Sequence, residues 1–199
     1  MAKIKYCIWD VGNVIYDYTI KPLNQWCERH TADKDIFEKN NGKFDYDDYM
    51  KGFVSFPDLC RQICRFYAVP YRTGYNNEIK QSFYDGIIKY HPQTREIQEK
   101  LKTLGIGNCI LSNALPVLAN TANCDDIISP EHQFCSFDLG LLKPDHAIYE
   151  AVRAKLGCKF EELIFVDDKA ENTHAAAELG IHTVTFNAET IIEEITKLL

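Results

Sequence analysis

The 199-residue chain has no apolar run approaching the length of a membrane-spanning helix, which sets aside an integral helical membrane protein. It has no internal repeat and no low-complexity tract. With 46% hydrophobic and 26% charged residues it falls within the globular norm, so disordered, collagen-like and coiled-coil architectures are excluded too. Positive charge is also short: a net charge of -7 argues against nonspecific binding to nucleic acid or an anionic membrane, while leaving room for a local basic pocket. The eight cysteines contain no C-x-x-C pair, and Cys7 and Cys109 sit inside apolar runs, so they read as buried reduced thiols and not as a disulfide scaffold. Cys60 and Cys64 are one helical turn apart but lack histidine or further cysteine at ligand spacing, which argues against zinc. The first strand begins within a few residues of Met1, leaving no room for a signal peptide, and a cytoplasmic location is expected.

What the chain does have is a buried strand that ends in an acid. Residues 3–9 form an apolar, β-branched and aromatic run that stops at Asp10, followed by Val11, Gly12 and Asn13. Two later stretches share this design: Cys109-Ile110-Leu111 leads into Ser112-Asn113, and Leu163-Ile164-Phe165-Val166 leads into Asp167-Asp168. If the three strands are parallel neighbours, Asp10, Ser112 and Asp168 meet at one carboxyl edge, where open α/β sheets bind ligands. Asp10 is the candidate nucleophile.

Between these strands the pattern changes. After Ile15 it is helical for about 75 residues: a helix opened by Thr19 and Pro22, with Leu23, Trp26 and Cys27 on its apolar face; a second over Asp45 to Val54; a third from Pro57 carrying Leu59, Ile63, Phe66 and Tyr67; and a fourth with Ile79, Phe83 and Ile87. Consecutive helices do not continue a β-α alternation, so residues 17–90 read as an inserted all-helical cap over the sheet edge. Residues 1–16 and 91–199 then form the core, an α/β fold with a doubly wound, mainly parallel, Rossmann-like sheet. Within that core the pattern predicts a helix over Thr94 to Leu104, strands at Asn108 to Leu111, Ile127-Ile128, Glu162 to Val166 and Thr183 to Phe186, and helices over Pro144 to Leu156, Glu171 to Leu179 and Thr190 to Leu199. The cap's aromatics, among them Phe44, Tyr46, Tyr49, Phe53, Phe56 and Tyr84, read as core at helical spacing.

Four ordered segments carry a resemblance. Asp10-Val11-Gly12-Asn13-Val14, Leu111-Ser112-Asn113, Gly140-Leu141-Leu142-Lys143-Pro144-Asp145 and Phe165-Val166-Asp167-Asp168 with Glu171-Asn172 resemble the motifs of haloacid dehalogenase-like hydrolases, over about Lys3 to Phe186. The Asp-x-Gly-Asn-Val form of the first segment is most similar to the branch containing bacterial α-D-glucose-1-phosphate phosphatases. This resemblance implies attack by Asp10 on phosphorus and an aspartyl-phosphate. It also implies Mg2+ held by Asp10, the Gly12 carbonyl and Asp168, with Asp167 in the set but standing behind Asp168. Ser112, Asn113, Lys143 and the backbone at Val11 and Gly12 are then expected to bind the phosphate, with Lys143 also tempering the charge on Asp10.

Physical chemistry asks for the same parts. A carboxylate approaching a phosphate dianion needs a divalent cation and positive donors to offset repulsion, and magnesium takes carboxylate and carbonyl oxygens while keeping waters. The chain departs from most phosphatases of this resemblance two residues after the nucleophile, where an aspartate acts as general acid and base; here Gly12 stands. Losing such a group costs roughly 10²–10⁴ in rate unless something replaces it. Asp17, the nearest downstream acid, or a residue of the cap is the candidate replacement, and good leaving groups such as an anomeric sugar phosphate need it least. His146 and His174 are assigned no role. The expected function is a Mg2+-dependent phosphatase of a small phosphate monoester. The alternatives are a non-catalytic phosphate-ester and metal-binding regulator that has lost its acid/base, and a 2-haloacid dehalogenase.

Overall fold

The computed structural model describes residues 3–119, 121–122 and 125–199. Strand β1 (Tyr6–Trp9) leads to β2 (Tyr16–Tyr18), then to helices α1 (Lys21–His30), α2 (Lys34–Asn40), α3 (Asp47–Met50), α4 (Phe56–Phe66) and α5 (Tyr75–Tyr84), and to β3 (Ile87–Tyr90). There follow α6 (Pro92–Thr103), β4 (Gly107–Ser112), β5 (Gln133–Cys135), α7 (Ser136–Leu139), α8 (His146–Leu156), β6 (Leu163–Asp167), α9 (Ala170–Glu178), β7 (His182–Thr185) and α10 (Ile191–Leu198).

Five strands form one parallel sheet in the order β5-β4-β1-β6-β7, with β1 at its centre between the two strands that share its design. Side chains alternate across β1, so Cys7 and Trp9 pack in the cluster that holds Ile97, Leu101, Ile191 and Ile195 of α6 and α10. Ile8 packs on the other face with Ile148, Val152 and Ala176 of α8 and α9. A sheet covered on both faces explains strands that are apolar throughout. The indole of Trp9 is fully buried and donates to Asn108 Oδ1 at 2.9 Å, which keeps its one polar atom satisfied.

The helices between β2 and β3 share a separate apolar cluster that includes Leu23, Trp26, Leu59, Ile63, Tyr67, Ile79 and Phe83. In α4 the N-cap Ser55 accepts from Asp58 N, Pro57 lies in the first turn, and Leu59, Cys60, Ile63 and Cys64 line one buried stripe. This insert is not wholly helical at its base: β2 and β3 pair antiparallel, and Ile87, expected on a helix face, stands in that ribbon. The helix expected over Asp45 to Val54 is confined to α3, and α2 is an additional helix capped by Asp33. Ile127 and Ile128 lie in a turn, and the edge strand is β5 instead. Leu104, expected on the buried face of α6, is exposed just before Gly105, whose φ of +76° turns the chain out of the helix. Among the described residues no helix is long and apolar enough to cross a membrane.

The insert also touches the core through one buried hydroxyl. Ser136 Oγ, at the start of α7, donates to Met50 O of α3 at 2.7 Å and accepts from Ala114 N, just beyond β4, at 3.1 Å.

Candidate active site

The carboxyl ends of β1, β4 and β6 deliver Asp10, Ser112 and Asp168 to one cleft of about 290 Å³, with Asp167 buried beneath it. Its floor contains Asp10, Gly12, Ser112, Asn113, Lys143 and Asp168, and its roof is Tyr18, Ile20, Tyr46 and Met50 from the ribbon and insert.

Lys143 is the charge centre. Its ammonium lies 2.8 Å from Asp10 Oδ1 and 2.6 Å from Asp167 Oδ2, and donates to Leu111 O at 2.9 Å. An ammonium has three protons, and these contacts use all of them. Lys143 therefore acts here on charge, and touching a phosphate oxygen requires exchange of one partner. Burial works against its charge, but Asp10 and Asp167 overcome that and hold its pKa above the usual lysine range. Burial pushes the Asp10 carboxyl up from its ordinary value and Asp167 adds to this, with Lys143 opposing both.

Asn113 fixes that lysine in place. Its side-chain amide donates to Lys143 O at 2.8 Å and its Oδ1 accepts from Lys143 N at 2.8 Å. The Asn113 side chain thus braces the lysine backbone, while the residue itself lines the cleft where it is expected to meet phosphate. Ser112 closes β4 and lines the cleft.

The two adjacent aspartates have different surroundings. Asp167 is completely buried; its Oδ2 faces Lys143, Asn172 Nδ2 reaches both oxygens at 3.0 Å, and Lys169 N donates to Oδ1 at 2.9 Å. These bonds occupy the lone pairs a cation would need, so Asp167 positions Lys143. Asp168 is half-buried and, among the described residues, its Oδ2 accepts only from Asn13 Nδ2, at 2.9 Å. One carboxylate oxygen each from Asp10, Asp167 and Asp168 lies within 4.8 Å of the others. Lys143 is the buried ammonium among these three carboxylates, with Lys169 exposed at the cleft wall, and Asp10 and Asp168 remain as hard oxygen donors that fit one divalent cation.

Sequence reasoning left Asn13 unassigned. It has a left-handed φ of 58°, a conformation asparagine tolerates better than most side chains, and its Oδ1 accepts from Tyr18 N at 3.0 Å while its amide holds Asp168. Asn172, quoted in the fourth segment without a role, orients Asp167. Tyr46 and Met50 carried no signal, because they come from the insert. Asp17 is not a cleft residue: it alternates with Tyr16 and Tyr18 on β2 and its Oδ1 lies 2.9 Å from His91 Nε2, which corrects its candidacy as the replacement acid. His146 pairs with Glu178 at 2.9 Å and His174 is exposed.

Comparison with known proteins agrees with this geometry. A family model described as haloacid dehalogenase-like hydrolase matches residues 4–180. A predicted hydrolase of that type from Porphyromonas gingivalis superposes with a TM-score of 0.79 at 21% identity, covering 99% of this chain and 98% of its own. An enzyme of the family from Bacteroides thetaiotaomicron, solved in complex with magnesium and inorganic phosphate, superposes with a TM-score of 0.73 at 20% identity, covering 93% of this chain and 95% of its own. In sequence, (S)-2-haloacid dehalogenase 4A of Burkholderia cepacia is 27% identical over 129 residues, which span 63% of this chain and 54% of that enzyme.

Proposed function

Because the chain belongs to the haloacid dehalogenase-like hydrolases, we propose that it is a Mg2+-dependent phosphatase acting on a small phosphate monoester, with a hexose 1-phosphate or similar anomeric sugar phosphate as the favoured form. The observation that carries this reading is the charge balance of the cleft: three clustered carboxylates, one buried ammonium, and an Asp168 oxygen with no hydrogen bond among the described residues.

Asp10, Asp168 and the Gly12 carbonyl would hold Mg2+, which when bound supplies positive charge against the phosphoryl oxygens. A carboxylate oxygen of Asp10 attacks phosphorus, the bond to the ester oxygen breaks, and the leaving oxygen takes a proton from solvent water. Water then attacks phosphorus and gives up a proton to solvent, the bond to Asp10 breaks, and phosphate departs with the Asp10 carboxylate regenerated. Lys143 opposes the upward push of burial on Asp10, Asn113 and Asp167 keep Lys143 in place, and Ser112 would donate its hydroxyl proton to a phosphoryl oxygen. Gly12 has no side chain to offer a proton, so esters of the more acidic alcohols turn over fastest.

The similarity to a haloacid dehalogenase supports a second reading, displacement of halide from a 2-haloacid by the same aspartate. The acidic pair at the end of β6 disfavours it, since that reaction has no use for an anionic cation site. The test is release of phosphate from sugar phosphates and an activated aryl phosphate, with and without Mg2+, using Asp10→Asn as control. Mg2+-dependent release lost in the variant supports the phosphatase. Chelator-insensitive chloride release from a haloacid establishes the dehalogenase, and tight phosphate-ester binding without turnover establishes a regulatory binding protein.

A further inference from the structure

A second chamber adjoins the cleft, with a volume of about 110 Å³ and walls that include Tyr16, Ile110, Leu118, Ala119 and Ala122. Gly12, Tyr18, Ser112, Asn113 and Leu115 border both spaces, so they form the partition between them. At Gly12 that partition is bare: a Cβ built there meets nothing within 4 Å. The missing side chain that removes a general acid also leaves a way past the nucleophile.

The chamber is suited to apolar groups. Tyr16 Oη donates to Thr121 Oγ1 at 2.9 Å, Thr121 Oγ1 donates to Leu118 O at 2.8 Å, and the Gln133 amide donates to Asp125 and to Ile128 O. Tyr18 Oη is the one buried hydroxyl of this wall without a partner among the described residues. A polar ligand atom could regain a hydrogen bond at Tyr18 Oη, but much of the remaining wall is carbon or already bonded, so polar atoms set against it would lose water uncompensated. A water-sized group needs roughly 10–15 Å³ of such volume, so the space holds several methylene-sized groups.

We propose that this chamber is a leaving-group subsite, which takes the end of a phosphate monoester whose alcohol part terminates in methyl or methylene carbon. The proposal rests on the phosphate-ester reading above and not on the assignment of a sugar. An apolar end has two chemical sources, a short alkyl chain and the deoxygenated edge of a sugar.

The experiment titrates the intact protein, with Mg2+ present, with inorganic phosphate and with methyl-, ethyl-, propyl- and butylphosphonate, whose carbon–phosphorus bond is not hydrolysed. Affinity is expected to rise about fourfold per added methylene until the chamber is full. Ala122→Leu, on the chamber wall and away from the cleft, flattens the series while inorganic phosphate binds as before. Leu118→Ala moves the plateau to a longer chain, and it decides the matter if Ala122→Leu no longer binds phosphate. A flat series in the parent protein, or increments that neither variant alters, overturns the subsite and leaves the phosphatase intact. Failure of inorganic phosphate to bind the parent overturns the phosphate-ester reading itself, and the subsite with it. Where the increments are found, a higher kcat/KM for a 6-deoxyhexose 1-phosphate than for its 6-hydroxy counterpart assigns the apolar end to a sugar; equal values assign it to an alkyl chain.

Discussion

Asp167 Oδ2 lies 2.6 Å from Lys143 Nζ with both side chains almost wholly buried, so the ammonium facing the nucleophile is held from behind by a second carboxylate. Removing the lysine leaves two carboxylates facing each other out of water. Lys143→Ala is expected to cost about 3–5 kcal/mol of stability, the usual penalty for breaking a buried pair. A denaturant midpoint equal to the parent's would show that the pair is not closed in solution.

Asp10→Asn should behave in the opposite way. Folding raises the pKa of Asp10, so above its ordinary pKa the ionised carboxylate costs stability, and an uncharged amide relieves that cost. The variant is expected to unfold at the same or a higher denaturant concentration while losing phosphate release. Marked destabilisation would mean that Asp10 is held mainly by its ion pair.

The same raised pKa sets the pH dependence of cation binding. A proton on Asp10 removes a charge that attracts Mg2+, so affinity falls as pH drops through the raised value, which lies above the ordinary aspartate value of about 3.9. Calorimetric titration with Mg2+ between neutral pH and pH 4.5 should show this decline, and Asp10→Asn should lack it. Constant affinity down to the ordinary carboxylate range would contradict the burial of Asp10.

Gly12 has room for a side chain. Gly12→Asp is expected to fold normally and to accelerate esters with poor leaving groups, by up to roughly 10²–10⁴ if the new carboxyl reaches the leaving oxygen. Activated aryl phosphates should change little, so a linear plot of log kcat/KM against leaving-group pKa becomes shallower. An unchanged slope would place the new carboxyl out of reach.

Asn13 separates backbone from side-chain effects. Asn13→Gly keeps the left-handed conformation at φ 58° but loses the amide that holds Asp168, so Mg2+ binds more weakly with little loss of stability. Asn13→Ala loses the same bond and adds about 1–2 kcal/mol of backbone strain. Equal Mg2+ affinity in the glycine variant and the parent would remove Asn13 from the site.

Long apolar strands and their terminal acids were legible in the sequence because β1, β4 and β6 are buried on both faces, and an unbroken run of apolar residues is what such a position selects. The convergence of Asp10, Ser112 and Asp168 followed from that pattern. Strand β5 was not legible: three residues with only Phe134 buried leave no periodicity to read. Nor was the β2–β3 ribbon, whose pairing joins positions about seventy residues apart. The roles of Asn113 and Asp167 were hidden for a related reason. Their partners lie 30 and 24 residues away at Lys143, and a local pattern cannot tell an amide that binds ligand from one that binds backbone.

Ser136 joins three parts of the molecule at a single oxygen: the backbone of Met50, which roofs the cleft, its own helix, and the amide of Ala114, the residue after Asn113. A shift of a few tenths of an ångström at the β4 exit lengthens one of these bonds unless the roof follows. Floor and roof are therefore geared together, and the strain of seating a substrate at one surface is shared by the other.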